Sequence, residues 1–160
     1  MEFHISPATE LDLSAILDLI KGIAEYERLS DEVVATEESL RESLFAARPR
    51  AEVAIGYADR EPVGFAAYFH NYSTFLARVG LYLEDIFVKP EWRRRGRGRQ
   101  LLAYVAQVAV SRGCGRLEWA VLDWNEPAIR FYKNLGARAM DDWTIYRMTG
   151  DALERLAREG

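Results

Sequence analysis

The stretch from Gly80 to Ala109 passes from a β-type run, through a basic turn with two glycines, into a helical run, and this order constrains the fold most. "GLYLEDIFVKP" is rich in branched and aromatic side chains and reads as a strand. Pro90 ends it by removing a ladder donor and by holding Lys89 out of the helical region. Leu101, Leu102, Val105, Val108 and Ala109 then recur at helical spacing, and "SRGCG" closes that helix. A strand feeding a helix in this way forms a crossover, and such a crossover is where a functional site is expected.

The rest of the chain supplies the partners. "EFHIS" alternates as a first strand, and a helix follows in which Leu13, Ile16, Leu17, Ile20, Ile23 and Ala24 mark one face out to about Leu29. Thr36 caps a second helix containing Leu40, Leu44 and Phe45. "AEVAIGYADREPVGFAAYFHNYS" is two strands joined at Asp59 to Pro62. Beyond the crossover helix, "RLEWAVLDW" reads as a strand, "NEPAIRFYKNLGA" as a short helix, "WTIYRM" as a last strand and 151–158 as a terminal helix. The expected class is mixed α+β, in the order β-α-α-β-β-β-α-β-α-β.

Hydrophobic residues make up 49% of the chain and charged residues 29%. That balance predicts one compact domain over 1–160, able to bury roughly two thirds of its unfolded surface. The formal net charge of −4 argues against nucleic acid as a partner, because such binding draws on a broad excess of Lys and Arg. The lone Cys114 allows no intramolecular disulfide and no cysteine zinc cage, and no metal site is expected. No run approaches the roughly 18 apolar residues that cross a bilayer, and "MEFHISPATELDL" lacks the pattern of an export signal. A soluble cytoplasmic protein with no membrane partner is the expectation.

Residues 93–99 hold five arginines and two glycines. Taken alone, this segment fits a solvated surface loop, a nucleic-acid patch or an anion cradle. The acidity of the chain disfavours the second. For the third there is a physical basis. Backbone N–H groups at a helix N-terminus favour an anion. Gly96 and Gly98 would permit positive φ and close approach of a phosphate, and Arg93, Arg95 and Arg97 could add charge-assisted contacts. The spacing matches neither a Walker loop nor a dinucleotide fingerprint.

"RRRGRG", Arg93 to Gly98, resembles the acyl-CoA signature Q/R-x-x-G-x-G/A of the GCN5-related N-acetyltransferases (GNAT). "YLEDIFV", "VLDWNEPAIRFYKNLGA", "AEYERLSDEVV" and "FHNYSTF" resemble the diamine (spermidine/spermine-type) and thialysine N-acetyltransferase branch, so the likeness covers almost the whole chain. It implies a mostly antiparallel, centrally splayed sheet of six to seven strands flanked by helices. It also implies acetyl-CoA as co-substrate, a small-molecule amine as acceptor, and a homodimer.

The resemblance assigns residues as well. Glu84 is placed to accept the amine proton, and burial in an apolar strand would raise its pKa toward that of a useful base. Strict alternation puts Glu84 and Asp85 on opposite faces, so both reach the substrate only if the strand bulges, as it does in the family. Backbone groups of Ile86, Phe87 and Val88 would hold the pantetheine arm. Arg93, Arg94, Arg95, Gly96, Arg97, Gly98 and Arg99 would hold the phosphates. Asn125 would contact the cofactor, or serve as the helix N-cap, or both. Tyr132, a cofactor contact too, would protonate the leaving thiolate, in direct transfer within a ternary complex. Tyr26, Glu27, Glu84 and Asp85 would shape the amine pocket. The loop "NYSTFLARVG" lacks the acid found in polyamine-specialised relatives, which leaves thialysine, lysine-like amino acids and other small amines open. A non-catalytic acyl-CoA-binding sensor or regulatory module is the alternative.

Overall fold

The computed structural model describes residues 1–160 in two compact units, Met1–Leu122 and Asp123–Gly160. The first holds β1 (Phe3–Pro7), α1 (Leu13–Tyr26), α2 (Glu37–Leu44), β2 (Glu52–Ala58), β3 (Glu61–Ser73), β4 (Arg78–Val88), α3 (Arg97–Ser111) and β5 (Leu117–Trp119). The second holds α4 (Glu126–Asn134) and α5 (Gly150–Ala157). No helix is long and apolar enough to cross a membrane.

The strands form one five-stranded sheet in the order β1-β2-β3-β4-β5, antiparallel except for the parallel pair β4–β5. The α+β class is thus as expected, but the strand count is five rather than six or seven. "WTIYRM" forms no ladder within its own unit, whose elements are helices. The expected strand "RLEWAVLDW" is laddered only over Leu117–Trp119, because its partner β4 is in register with it only from Leu81 to Leu83.

Side chains alternate across the sheet, so odd-numbered Phe65 and even-numbered Gly64 on β3 face opposite layers. On one side Ile16, Leu19 and Ile23 of α1 pack with Val53, Ile55, Phe65 and Phe87. On the other, a Cβ added at Gly64 would meet Leu101 at 3.2 Å and the backbone oxygen of Phe87 at 2.7 Å, so a larger residue would push α3 off the sheet. Each of the large buried side chains contributes roughly 1.5–3 kcal/mol by leaving water.

Caps set the helix ends. Thr36 and Ser39 form the expected reciprocal cap on α2, Ser39 N donating to Thr36 Oγ1 at 3.1 Å and Thr36 N to Ser39 Oγ at 2.9 Å. α1 stops at Tyr26 rather than Leu29, because Arg28 takes a left-handed φ of 63°. Arg28 N donates to Glu25 O at 3.1 Å and Leu29 N to Ala24 O at 2.8 Å, the paired bonds of a Schellman close.

Leu19 is fully buried and Leu11 is 95% exposed. We expect Leu19→Ala to cost about 2–5 kcal/mol in urea denaturation, and Leu11→Ala to stay within ~0.5 kcal/mol of the native protein.

Candidate active site

The register of β4 against β3 breaks at one point. Asp85 opposes Ala67 and Leu83 opposes Tyr68, so Glu84 is the extra residue of a β-bulge. The bulge required for Glu84 and Asp85 to serve one site is therefore present. β5 runs beside β4 only to Leu83, so from Glu84 to Val88 the β4 edge has no β5 residue in register, which is the splay the family fold calls for.

The bulge also decides which carboxyl is buried. Glu84 is exposed at the kink, whereas Asp85 is largely covered on the α1 side of the sheet, so the burial expected of Glu84 falls on its neighbour. Burial pushes the Asp85 carboxyl up to about 6, helped by the charges of Glu84 and then Glu27. Glu27, the half-buried residue that follows α1, is also pushed up, first by burial and then by Glu84. The Schellman close at Arg28 brings Glu27 here from α1, and the bulge brings the other two from β4. The charge of Glu84 raises the proton affinity of both Glu27 and Asp85, so this corner makes a local demand for a cation that an arriving ammonium would relieve.

The basic loop is built as a cradle at the N-terminus of α3. Gly96 is its N-cap in the left-handed region, φ 72°, and no side chain caps the first turn. A Cβ at Gly96 or Gly98 would meet nothing within 4 Å, so nothing crowds the loop on the side where side chains would stand. Exposed Arg94, Arg95 and Arg99 flank it. A phosphate-bearing group fits this donor set: orphan N–H groups, an uncrowded loop and surrounding guanidinium charge.

Two of the seven predicted loop residues turn inward. Arg97 is only 6% exposed, its guanidinium 4.8 Å from the Trp92 ring centroid and 5.3 Å from that of Phe3, with Nη1 donating to Trp92 O at 3.3 Å. Its side chain anchors the loop, and only its backbone N–H can serve a ligand. Arg93 donates from Nε to Val88 O at 2.8 Å and lies 4.8 Å from the Tyr26 ring centroid and 5.4 Å from that of Phe87. Arg93 thereby ties the loop to the predicted amine-site residue Tyr26, in the wall of an open groove of about 450 Å³. Phe87 belongs to the core by its side chain, and the Val88 carbonyl is already taken by Arg93, so of the predicted 86–88 segment only backbone groups on the edge away from β3 and not bonded to Arg93 are candidates for a ligand.

In the second unit Asn125 is the N-cap of α4, its Oδ1 accepting from Ala128 N at 3.4 Å. Tyr132 lies in the last turn, where Ala137 N donates to Tyr132 O at 3.1 Å and Gly136, φ 94°, closes the helix. Sequence reasoning did not single out Tyr82 or Glu118, which the β4–β5 register sets side by side. A charged residue inside the apolar run "RLEWAV" was the available signal.

Because Asp85 has a higher pKa folded than its ordinary value of 3.8, the folded state binds more protons between the two values. Stability from this group is full below about 4 and is lost as pH rises through about 6. Asp85→Asn should flatten that slope and raise stability at pH 7.5 by about 1–3 kcal/mol, read from urea unfolding at pH 4.5, 6 and 7.5. An unchanged slope would mean that Asp85 is solvated as an ordinary carboxylate.

Comparison with known proteins agrees with this site. The model of the acetyltransferase (GNAT) family matches residues 16–137. The chain is 42% identical to a thialysine N-epsilon-acetyltransferase of Bos taurus, covering 96% of each protein. It is 36% identical to an L-ornithine N5-acetyltransferase of Arabidopsis thaliana, covering 96% of this chain and 87% of that one. Among solved structures, an integron cassette protein from the mobile metagenome of V. cholerae superposes with a TM-score of 0.81 at 26% identity, covering 99% of each chain. A cradle at the N-terminus of α3, a bulged β4 and a family match spanning most of the sequence lead to one conclusion: the chain belongs to the acetyltransferase (GNAT) family and is an N-acetyltransferase.

Proposed function

We propose that the enzyme transfers the acetyl group of acetyl-CoA to a primary amine of a small diamine, polyamine, thialysine or lysine-like molecule, directly and within a ternary complex. The observation that carries this reading is the bulge at Glu84, which gathers Glu27, Glu84 and Asp85 beside the β4 edge that lies next to the phosphate cradle. The relatives that act on thialysine and ornithine support the same acceptor class.

Acetyl-CoA supplies an activated thioester. Backbone N–H groups of Gly96 to Arg99, with the side chains of Arg94, Arg95 and Arg99, hold its phosphates, and the β4 backbone from Ile86 to Val88 holds the pantetheine arm. Asn125 adds a polar contact while capping α4. An alkylammonium has a pKa near ~10, so the acceptor must lose a proton before its lone pair can attack. Glu84, exposed at the kink and free of the sheet ladder, takes that proton through water. Asp85 and Glu27 hold the incoming cation by charge, and Tyr26 lines its path. The Tyr132 hydroxyl gives a proton to the departing thiolate. Residues 1–160 act as one transferase domain, supported by a family match that runs through both units. The protein works in the cytoplasm as a homodimer.

Thiol release from acetyl-CoA across thialysine, lysine, diamines, spermidine and a lysine peptide tests this reading. We expect clear turnover with at least one small amine. Glu84→Gln and Tyr132→Phe should each lower kcat by about 10²–10⁴-fold while acetyl-CoA still binds. Tight acetyl-CoA binding with no release toward any amine would instead make the protein a non-catalytic acyl-CoA-binding module.

A further inference from the structure

We propose that Arg116 and Glu118 form a head-group subsite for an α-amino acid, with Glu118 receiving the α-ammonium and Arg116 the α-carboxylate while the distal amine is acetylated. The inference rests on the acetyl-transfer reading of the site and narrows its acceptor to basic α-amino acids over bare polyamines.

The placement follows from register. Glu118 is the central residue of β5 and is in register with Tyr82 of β4, so the two side chains leave the sheet on one face. Tyr82 opposes Phe69 and Asp85 opposes Ala67, and Phe69 and Ala67 are two apart on β3. Tyr82 and Asp85, three apart in sequence, therefore share a face only because Glu84 bulges out between them. Glu118, Tyr82 and Asp85 form a continuous trail. The Tyr82 phenol records it: burial pushes its pKa up, with further contributions from Glu84 and then Glu118.

The separation suits a short amino acid. Two ladder steps of ~3.4 Å along the strand and one interstrand step of ~4.8 Å put the Asp85 and Glu118 backbones about 8 Å apart. A spacer of roughly three or four methylenes between two ammonium groups covers such a span. A polyamine would satisfy Glu118 but would set a second cation beside Arg116.

The chemistry of the pair is open to a ligand. Glu118 Oε1 accepts from Asn71 Nδ2 at 3.2 Å and lies 3.4 Å from Arg116 Nε, so both contacts fall on the same carboxylate oxygen. Asn71 lies over Gly80, where any side chain would collide with the Asn71 amide oxygen, so this glycine makes room for the amide that orients Glu118. The Arg116 and Glu118 side chains are 48% and 38% exposed, so solvent screens the pair and it is easily rearranged around a zwitterion. The loop 74–79 carries no acid, so the distal charge of the acceptor is met from β5 instead.

The test compares kcat/KM for L-ornithine, L-lysine and thialysine with that for putrescine and cadaverine, their carboxylate-free counterparts, and for butylamine, which lacks the head group. The native enzyme should favour the amino acids over the diamines by about tenfold or more, the scale of one charged hydrogen bond. Glu118→Gln should raise KM for the amino acids about tenfold, with kcat, the acetyl-CoA KM and butylamine turnover unchanged. Arg116→Gln should abolish the preference for amino acids over diamines, and both variants should melt within a few degrees of the native protein. Diamines used as well as amino acids, or an equal loss for butylamine and ornithine in Glu118→Gln, would overturn the subsite and leave acetyl transfer standing. No release with any amine, butylamine included, would remove acetyl transfer and the subsite together.

Discussion

The residue count between Leu83 and Asp85 governs the active side of this protein. With Glu84 in the ladder, β4 would present Leu83 and Asp85 to one face, and a carboxylate would enter the apolar layer under α3. With Glu84 extruded, Leu83 stays with Tyr68 in that layer, while Asp85 joins Phe87 and Ala67 on the α1 side. A single unpaired residue thus reconciles a well-packed core on both faces with a cluster of carboxylates at the edge. The limited extent of β5 belongs to the same arrangement. A partner strand continued alongside Glu84 to Val88 would consume the backbone groups that an extended ligand needs.

Holding that edge open requires support from below and from the side. From below, the close contact of Gly64 with the Phe87 carbonyl lets β3 and α3 back the strand without intervening bulk. From the side, Arg93 bonds the Val88 carbonyl and covers the rings of Tyr26 and Phe87, so α1, β4 and the basic loop meet at one guanidinium. These contacts fix the candidate site in the first unit on rigid elements, which a group-transfer reaction needs if its reactants are to meet at near-bonding distance.

Much of this was readable from the sequence, for local reasons. Pro90, Gly96, Thr36 and Asn125 act through their own backbone geometry or their nearest neighbours, and each does in the structure what local chemistry dictates. What escaped reading depends on pairing at a distance. Whether Glu84 or Asp85 is buried depends on which residue leaves the ladder, and the one-dimensional pattern is the same for either. Arg97 looked like its exposed neighbours until the Phe3 and Trp92 rings enclosed it. Glu118 had no visible role before the parallel register set it beside Tyr82. "WTIYRM" has the side chains of a strand, but its own unit holds only helices and offers it no strand to pair with.

Arg28, φ 63°, and Arg94, φ 64°, hold left-handed backbone at the turn after α1 and at the loop before α3. Glycine would adopt that geometry without Cβ strain, whereas a non-glycine residue there gives up about 1–3 kcal/mol. The turns bordering the candidate amine and phosphate sites therefore carry backbone strain, as do the hairpin turns at Asp59, φ 54°, and Ala77, φ 52°, while the strands between them carry none of it. On warming, these segments should open locally before the core does. The temperature limit for holding ligands would then lie below that for holding the fold together.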